Sequence, residues 1–404
     1  MRLGPALFVT GAAAAGAAAV ADAGAVGASA RATWPPFVLV AGLLLIGVVA
    51  QRDGLFDAVG GLAGRARAHP AALLLALLAV VAAVTTVLNL DTSAAFLTPV
   101  LVLAARRRGV GEGPFLYGAL VMSNSASLLL PGSNLTNLLV LANEHAQGTQ
   151  FAARMLPAWA ASVVVTAAFV AVAFRSELRG RASSTAAAGP DPTSQSPSAV
   201  PVGPEVGGAA RGAAGGAVGP WAVLSGAAVA AAVVLMLAAG SPAPGVVAVG
   251  AVVAAIAVWR RAAAPREVWD AVEPLSLAGV FGIAVALGAL ARSWAGPAHL
   301  MAHAGAVATA ALGAGAAVAV NNLPAAVLLG SRHPAHARAL LLGLNLGPNL
   351  AVTGSLSALI WWRAARTVGA QPSARRLSRL GVVLVPVSIA ASAAALWLVS
   401  PGRL

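Results

Sequence analysis

Asp91 is the residue best placed for chemistry in this chain. It lies in the apolar stretch "TTVLNLDTSAAFLTPVLVLAA" (85–105), and no other acidic residue occurs between Asp57 and Glu112. A charge at the centre of a bilayer costs roughly 3 kcal/mol on insertion scales. That cost is bearable if the carboxyl is protonated, or if it faces water, a cation or hydrogen-bond donors. Such a group suits the exchange of a proton or a cation. The competing role is structural: Asp91 would cap a helix starting near Ser93, since Asp and Asn cap well. An uncharged Asn or Ser would cap as well at lower insertion cost, which favours chemistry.

Amide and hydroxyl side chains form the rest of the candidate set. Asn89, Thr92 and Ser93 flank Asp91; Ser133, Asn134, Thr136 and Asn137 follow Pro131; Asn321 and Asn322 precede Pro324; Asn345, Gly354 and Ser355 surround Gly347–Pro348. Their oxygens can ligate a cation, and freed N–H groups at half-helix starts can hold an anion or hydroxyls. The alternative is that these groups merely satisfy one another inside helix breaks. Their arrangement repeats. Offset by 221 residues, "SNSASLLLPGSNLTNLL" (123–139) lies over "LNLGPNLAVTGSLSALI" (344–360), so Asn124 meets Asn345, Asn134 meets Ser355 and Thr136 meets Ser357. With a ten-residue shift, "NLDTSAAFL" (89–97) lies over "VNNLPAAVL" (320–328), and Asp91 meets Asn322. Asn345 is the better ligand candidate of its pair with Asn349, because it has a counterpart in Asn124.

The elements that must hold these residues are membrane helices. The chain has 404 residues, 59% hydrophobic and 9% charged, with mean hydropathy +0.86; soluble domains carry about 25% charged residues. Crossing a bilayer core takes ~20 apolar residues. Candidate spans are 5–28, 35–51, 71–105 (interrupted at 89–93), 114–141 (interrupted at 131–134), 153–174, 220–240, 243–259, 275–293, 305–330 (interrupted at 321–324), 339–362 (interrupted at 347–354) and 378–399. The fold expected is an all-α polytopic membrane protein. It has inverted repeats, two re-entrant hairpins, two broken helices and about nine spanning helices. The chain divides into an N-terminal span (1–34), a first repeat (35–174), a disordered cytoplasmic linker rich in Pro, Ser and Gly (175–219), and a second repeat with its preceding helices (220–404). Interrupted segments at matching places in two halves point to a transporter binding site.

The arginines set the orientation. With the N-terminus inside and 71–105 folded back as a hairpin, nineteen of the 25 basic residues are cytoplasmic, as the positive-inside rule requires. The first hairpin then enters from inside and the second from outside. The net charge of +13 therefore reads as a topology signal rather than a nucleic-acid surface. Arg2, an Ala-rich run and "GASA" (27–30) resemble a cleaved signal peptide, but the length of the run favours a retained span, with Asp22 near an interface. The absence of cysteine excludes disulfides and thiol chemistry. The histidines fall in loops or span ends, without carboxylates at metal-ligand spacing; His299 and His303 alone could share a helix face. No nucleotide loop or nucleophile–base pair supports an enzyme, and no cofactor is expected.

Several strings together carry a family resemblance: "FVLVAGLLLIGVVAQRDGLFD", "LDTSAAFLTPV", "NSASLLLPGSNLTNLL", "VNNLPAAVLLG" and "LGPNLAVTGSLSALIWW". In order and in both halves, over roughly 35–400, they resemble the ArsB-type arsenical pump membrane proteins. These belong to the ion transporter superfamily that includes divalent-anion/sodium symporters. The resemblance implies efflux of arsenite or antimonite driven by the proton gradient, sometimes with a partner ATPase. The chain departs from the pattern at Leu90, where an Asn is expected. It departs again at Asn345 and Asn349, where ArsB proteins often carry an acid and a lysine.

The expectation is a secondary transporter of the cell inner membrane, with its N-terminus in the cytoplasm and Asp91 coupling solute to protons. Its solute would sit between the hairpin tips and the broken helices. Two relatives of the same fold stay open: a sodium-coupled anion symporter, against which the absence of a deep arginine counts, and a Na⁺/H⁺ antiporter. Partnership with an ATPase and homodimerisation are also open, and no nucleic-acid partner is expected.

Overall fold

The computed structural model describes residues 3–55, 69–141, 148–179, 221–330, 332 and 334–399, and every regular element among them is helical. Residues 180–219, the bulk of the expected linker, lie outside the described residues, as do Arg65, Arg67, His145 and His333.

Helix α1 (Leu3–Arg52) is two arms joined at Asp22, whose φ of −156° and ψ of 92° leave the helix. Its carboxylate accepts the N–H of Ala25 at 2.8 Å and so starts the second arm. The chain reverses there. Gly11 lies against Gly279 and Gly282, while Phe37 returns to pack edge-on against Phe281 at 5.3 Å. The first break therefore falls at exposed Asp22, not between 28 and 35, and the helix runs through Pro35 and Pro36.

Two hairpins follow the expected pattern. The first is α2 (Pro70–Val87) and α3 (Leu90–Arg107), joined by Leu88–Asn89. Its tip does not reach the far side: the Thr86 hydroxyl donates to the carbonyl of Ala126 at 3.3 Å, where the neighbouring helix ends. Residues 71–105 accordingly fold back rather than cross. The first broken helix is α4 (Gly113–Ala126), a 3-10 turn at Pro131–Ser133, and α5 (Leu135–Leu141). At 1.5 Å per residue neither part spans ~30 Å alone. Then come α6 (Gly148–Ala173) and the short α7 (Arg175–Arg179).

The second half opens with α8 (Ala222–Ala238), α9 (Pro242–Trp259), α10 (Pro265–Val272), α11 (Pro274–Ser293) and α12 (Gly296–His303). The second hairpin is α13 (Ala306–Val320) and α14 (Asn322–Gly330), joined by Asn321 alone. The second broken helix is α15 (Ala337–Leu346), 3-10 turns at Gly347–Leu350 and Val352–Gly354, and α16 (Leu356–Thr367). The final helix is α17 (Ala374–Val399).

The halves are inverted. The base of hairpin 1 lies with Glu112, whose carboxylate pairs Arg106 at 2.7 Å, and with the carbonyl of Val368, which also accepts from Arg106. Arg376 at the start of α17 pairs there with Glu177. The base of hairpin 2 lies at the other end of the bundle, where Gly330 meets Val140 at the close of α5 and Arg332 donates to the carbonyl of Arg292 at 2.6 Å. The exchange is reciprocal: α3 packs against α16 and α14 against α5, so each hairpin's outgoing arm lies on the other half's broken helix. The ion pairs among the described residues all fall at the end that holds the base of hairpin 1, here called the basic face.

Among the described residues, six helical stretches are long and apolar enough to cross a membrane by length and composition, among them Gly4–Arg52 of α1 and Pro70–Val87. The architecture redistributes these. The two arms of α1 cross separately, the α2 stretch is a re-entrant arm, and each broken helix crosses as a pair. With α6, α8, α9, α11 and α17 the described chain makes about nine crossings, the expected architecture of a multi-pass membrane protein. Small residues bring the helices close, the usual glue between membrane helices. A Cβ added to Gly343 would sit 2.1 Å from the carbonyl oxygen of Ala310, so α15 and α13 touch backbone to backbone.

Candidate functional site

Each polar position is set by a helix end. The Asn89 side chain accepts the N–H of Thr92 at 2.7 Å and caps α3. Asp91 is thereby released from the capping role considered above: the helix begins at Leu90, before it, and not near Ser93. In the matching places, Asn134 Oδ1 accepts the N–H of Thr136 at 3.1 Å at the start of α5, and Ser355 accepts the N–H of Ala358 at 3.2 Å at the start of α16. Asn321 adopts φ +76°, a strained value for a residue with a side chain. Its amide is held at both ends: Oδ1 accepts the N–H of Leu323 at 3.3 Å and Nδ2 donates to the carbonyl of Thr353 at 3.0 Å.

The second broken segment, 347–357, is the hub. Ser357 donates its hydroxyl to Asp91 Oδ1, joining α16 to the tip of hairpin 1. Asn349 Oδ1 accepts from Asn124 Nδ2 at 2.7 Å, joining the break to α4. Thr353 receives the tip of hairpin 2 through Asn321. Hydrogen bonds to charged groups contribute about 1.5–3 kcal/mol, so the Ser357 hydroxyl alone offsets much of the cost of placing a carboxylate there. Ser123 donates to Ser93 at 3.2 Å beside this contact.

A second cluster sits on the first break. Asn345 Oδ1 accepts from Asn134 Nδ2 and from Thr136 Oγ1 at 2.6 Å. Its Nδ2 donates to Asn137 Oδ1 at 2.7 Å. Ser133 caps this knot by donating to the carbonyls of Ser127 and Leu130, both at 2.6 Å.

The structure thus brings together Asn89, Asp91, Ser93, Asn124 and Asn321 around the hub. Ser133, Asn134, Thr136, Asn137 and Asn345 form the knot. Thr92 is turned away: a Cβ on Gly47 would lie 2.7 Å from its methyl carbon, so it faces the second arm of α1. Gly354 packs its Cα against Pro348 and leaves no room for a side chain. Asn322 opens α14 with its Oδ1 buried and unpartnered. The sequence reading weighed Ser357 beside Ser355 and Asn349 beside Asn345, and its candidate set kept only Ser355 and Asn345. The signal for Ser357 was present, since the repeat aligns it with Thr136.

Six of the ten unpartnered buried side-chain atoms among the described residues lie on the hairpins and broken helices, namely Thr85 Oγ1, Asn89 Nδ2, Thr92 Oγ1, Asn124 Oδ1, Asn322 Oδ1 and Asn349 Nδ2, and the other four belong to Asp53, Arg260 and Ser388. Buried polar groups rarely stay unpaired without reason. No arginine occupies the hairpin tips or the breaks. No group of three or more His, Asp or Glu able to hold a metal occurs among the described residues. His299 and His303 stack ring on ring at 5.9 Å on α12, away from the hub.

The comparisons with known proteins agree with this architecture. A solved structure, the Alcanivorax borkumensis YdaH transporter, described as having an unusual topology, is similar over 94% of this chain and 88% of its own. The TM-score is 0.56 at 16% identity, a likeness of fold. No curated protein sequence matches. The family model for the citrate transporters, CitMHS, matches residues 4–360. It covers the first repeat, both hairpins, the first broken helix and the second as far as the opening turn of α16, and it reaches the ion transporter superfamily without singling out its ArsB branch. A multi-pass helical bundle with paired, inverted breaks and a model match across nearly its whole length leads to one conclusion: the chain belongs to the CitMHS citrate transporter family.

Proposed function

We propose that this secondary transporter exports a small neutral hydroxylated solute of the arsenite or antimonite class in exchange for protons, with Asp91 as the proton carrier. One observation supports the choice of solute. The unpartnered buried amide atoms of the hairpins and breaks are of mixed polarity, with donors at Asn89 Nδ2 and Asn349 Nδ2 and acceptors at Asn124 Oδ1 and Asn322 Oδ1. An anion calls for donors throughout, and a cation for acceptors throughout. A trihydroxide offers both O–H donors and oxygen acceptors, and so complements a mixed set. It also needs no arginine.

In this reading Asp91 and Ser357 form the coupling pair. With the carboxylate ionised, the Ser357 hydroxyl satisfies it. On the outer side the carboxylate takes a proton, and on the inner side it releases that proton as solute binds the amides of the hub. The arginines gathered on the basic face support a cytoplasmic N-terminus by the positive-inside rule.

A second reading is favoured by the family's description: symport of a carboxylate such as citrate, with a cation compensating its charge. Uptake of radiolabelled arsenite and citrate into everted vesicles separates the two. Arsenite uptake that needs an imposed proton gradient and is lost in Asp91→Asn is the expected result. Sodium-dependent citrate movement without arsenite uptake would replace it with the second reading.

A further inference from the structure

The knot around Asn345 has a fixed direction. Asn137 Nδ2 donates to the backbone carbonyls of Ser127 at 2.8 Å and Leu130 at 3.1 Å. Those carbonyls can only accept, so Asn137 must turn its Oδ1 toward Asn345. Asn134 Oδ1 accepts the N–H of Thr136 at 3.1 Å, so Asn134 must turn its Nδ2 toward Asn345. Residue 345 therefore has to present one oxygen that accepts twice and one group that donates once. Asn does this. A protonated carboxylic acid does it as well, with a carbonyl oxygen and an O–H. An ionised carboxylate cannot, because it would set an acceptor against the acceptor Oδ1 of Asn137. The side chains involved are fully or almost fully buried, so water cannot relieve the mismatch.

We propose that Asn345 is a positioning residue that stands permanently in the hydrogen-bond pattern of a protonated acid. It locks the first broken helix to the second without titrating, so that coupling runs on Asp91 alone. The amides left for solute are then Asn89, Asn124, Asn322 and Asn349, not the saturated Asn345. The assignment of coupling to Asp91 rests on the function proposed above; the polarity lock does not.

The surroundings are free of competing charge. Among the elements packed against α15, α13, α14 and α5 carry no titratable side chain. Tyr117 of α4 and Arg375, Arg376 and Arg379 of α17 lie in the early turns of their helices, toward the basic face. Arg338 and His336 lie at the start of α15, seven or more residues from Asn345 and so roughly 10 Å away along the axis. Asp91, on α3, is held by Ser357 rather than by the knot.

Asn345→Asp makes the test, read on the full-length protein in two ways. In detergent, its thermal midpoint should match the wild type only below about pH 4, where the new carboxyl is protonated in the folded and the unfolded chain alike. It should fall progressively below the wild type as pH rises through that group's titration. In everted vesicles, gradient-driven arsenite uptake should acquire the same additional limb, present at low pH and lost at high pH. Asn345→Leu, which can neither donate nor accept, should be impaired at every pH. A folded Asn345→Asp that tracks the wild-type pH profile in both measurements overturns the proposal, as does one impaired equally at all pH. The thermal readout needs no solute. An Asp91→Asn protein that keeps gradient-driven uptake would sink the coupling assignment while leaving the thermal result of Asn345→Asp to judge the lock.

Discussion

At the scale of single residues, Asp91 and Ser357 form a bond between parts of the chain 266 residues apart. Removing the hydroxyl leaves a carboxylate with one fewer donor in an apolar bundle. A charge-assisted bond of about 1.5–3 kcal/mol corresponds to a ten- to hundredfold change. Ser357→Ala should therefore lower gradient-driven uptake by at least about tenfold, while Ser357→Thr, which keeps the hydroxyl, should retain most of it; initial rates in vesicles check this. Asp91 was legible in the sequence because a lone acid in an apolar run has few structural excuses. Its partner was not, because hydroxyls are cheap and frequent in membrane helices, and only the fold decides which one meets the carboxylate. Asn345 and Asn349 differ in a way that the repeat does not show. A repeat alignment finds equivalent positions, but saturation depends on what lies opposite. Asn345 is matched on both its atoms, and Asn349 retains a free donor.

At the scale of elements, the breaks were readable and their edges were not. Pro, Gly and Asn marked where regular helix fails. The cap then decided the boundary: Asn89 moved the start of α3 ahead of Asp91, and strained Asn321 compressed the second tip to one residue. Close helix contacts are the element-level feature that sequence hides, since this chain has 44 glycines and most spacings among them carry no signal. Structure separates them. Gly343 faces backbone at 2.1 Å, whereas a Cβ on Gly315 would meet nothing within 4 Å. Gly343→Ala should lower the thermal midpoint, since overpacking costs about 1–3 kcal/mol. Gly315→Ala should leave it unchanged or raise it slightly, because Ala is the better helix former. Measuring both in one detergent makes each the control for the other.

At the scale of the whole molecule, the contacts show two hairpins entering from opposite ends of the bundle, while the side that faces the cytoplasm rests on the arginine distribution. The linker boundaries rest on composition alone. The docking of the first arm of α1 also has a consequence in time. Its partner glycines on α11 are made about 270 residues after Gly11. At synthesis rates of about 5–20 residues per second, the arm waits on the order of 10–50 s before its seam can close. That seam can therefore close only once part of the second half has been made. Two fragments divided within 180–219 and co-expressed should find each other, co-purify and restore uptake, whereas a Gly11→Leu first fragment should fail to capture the second. What holds the first arm is thus supplied by the other half of the chain.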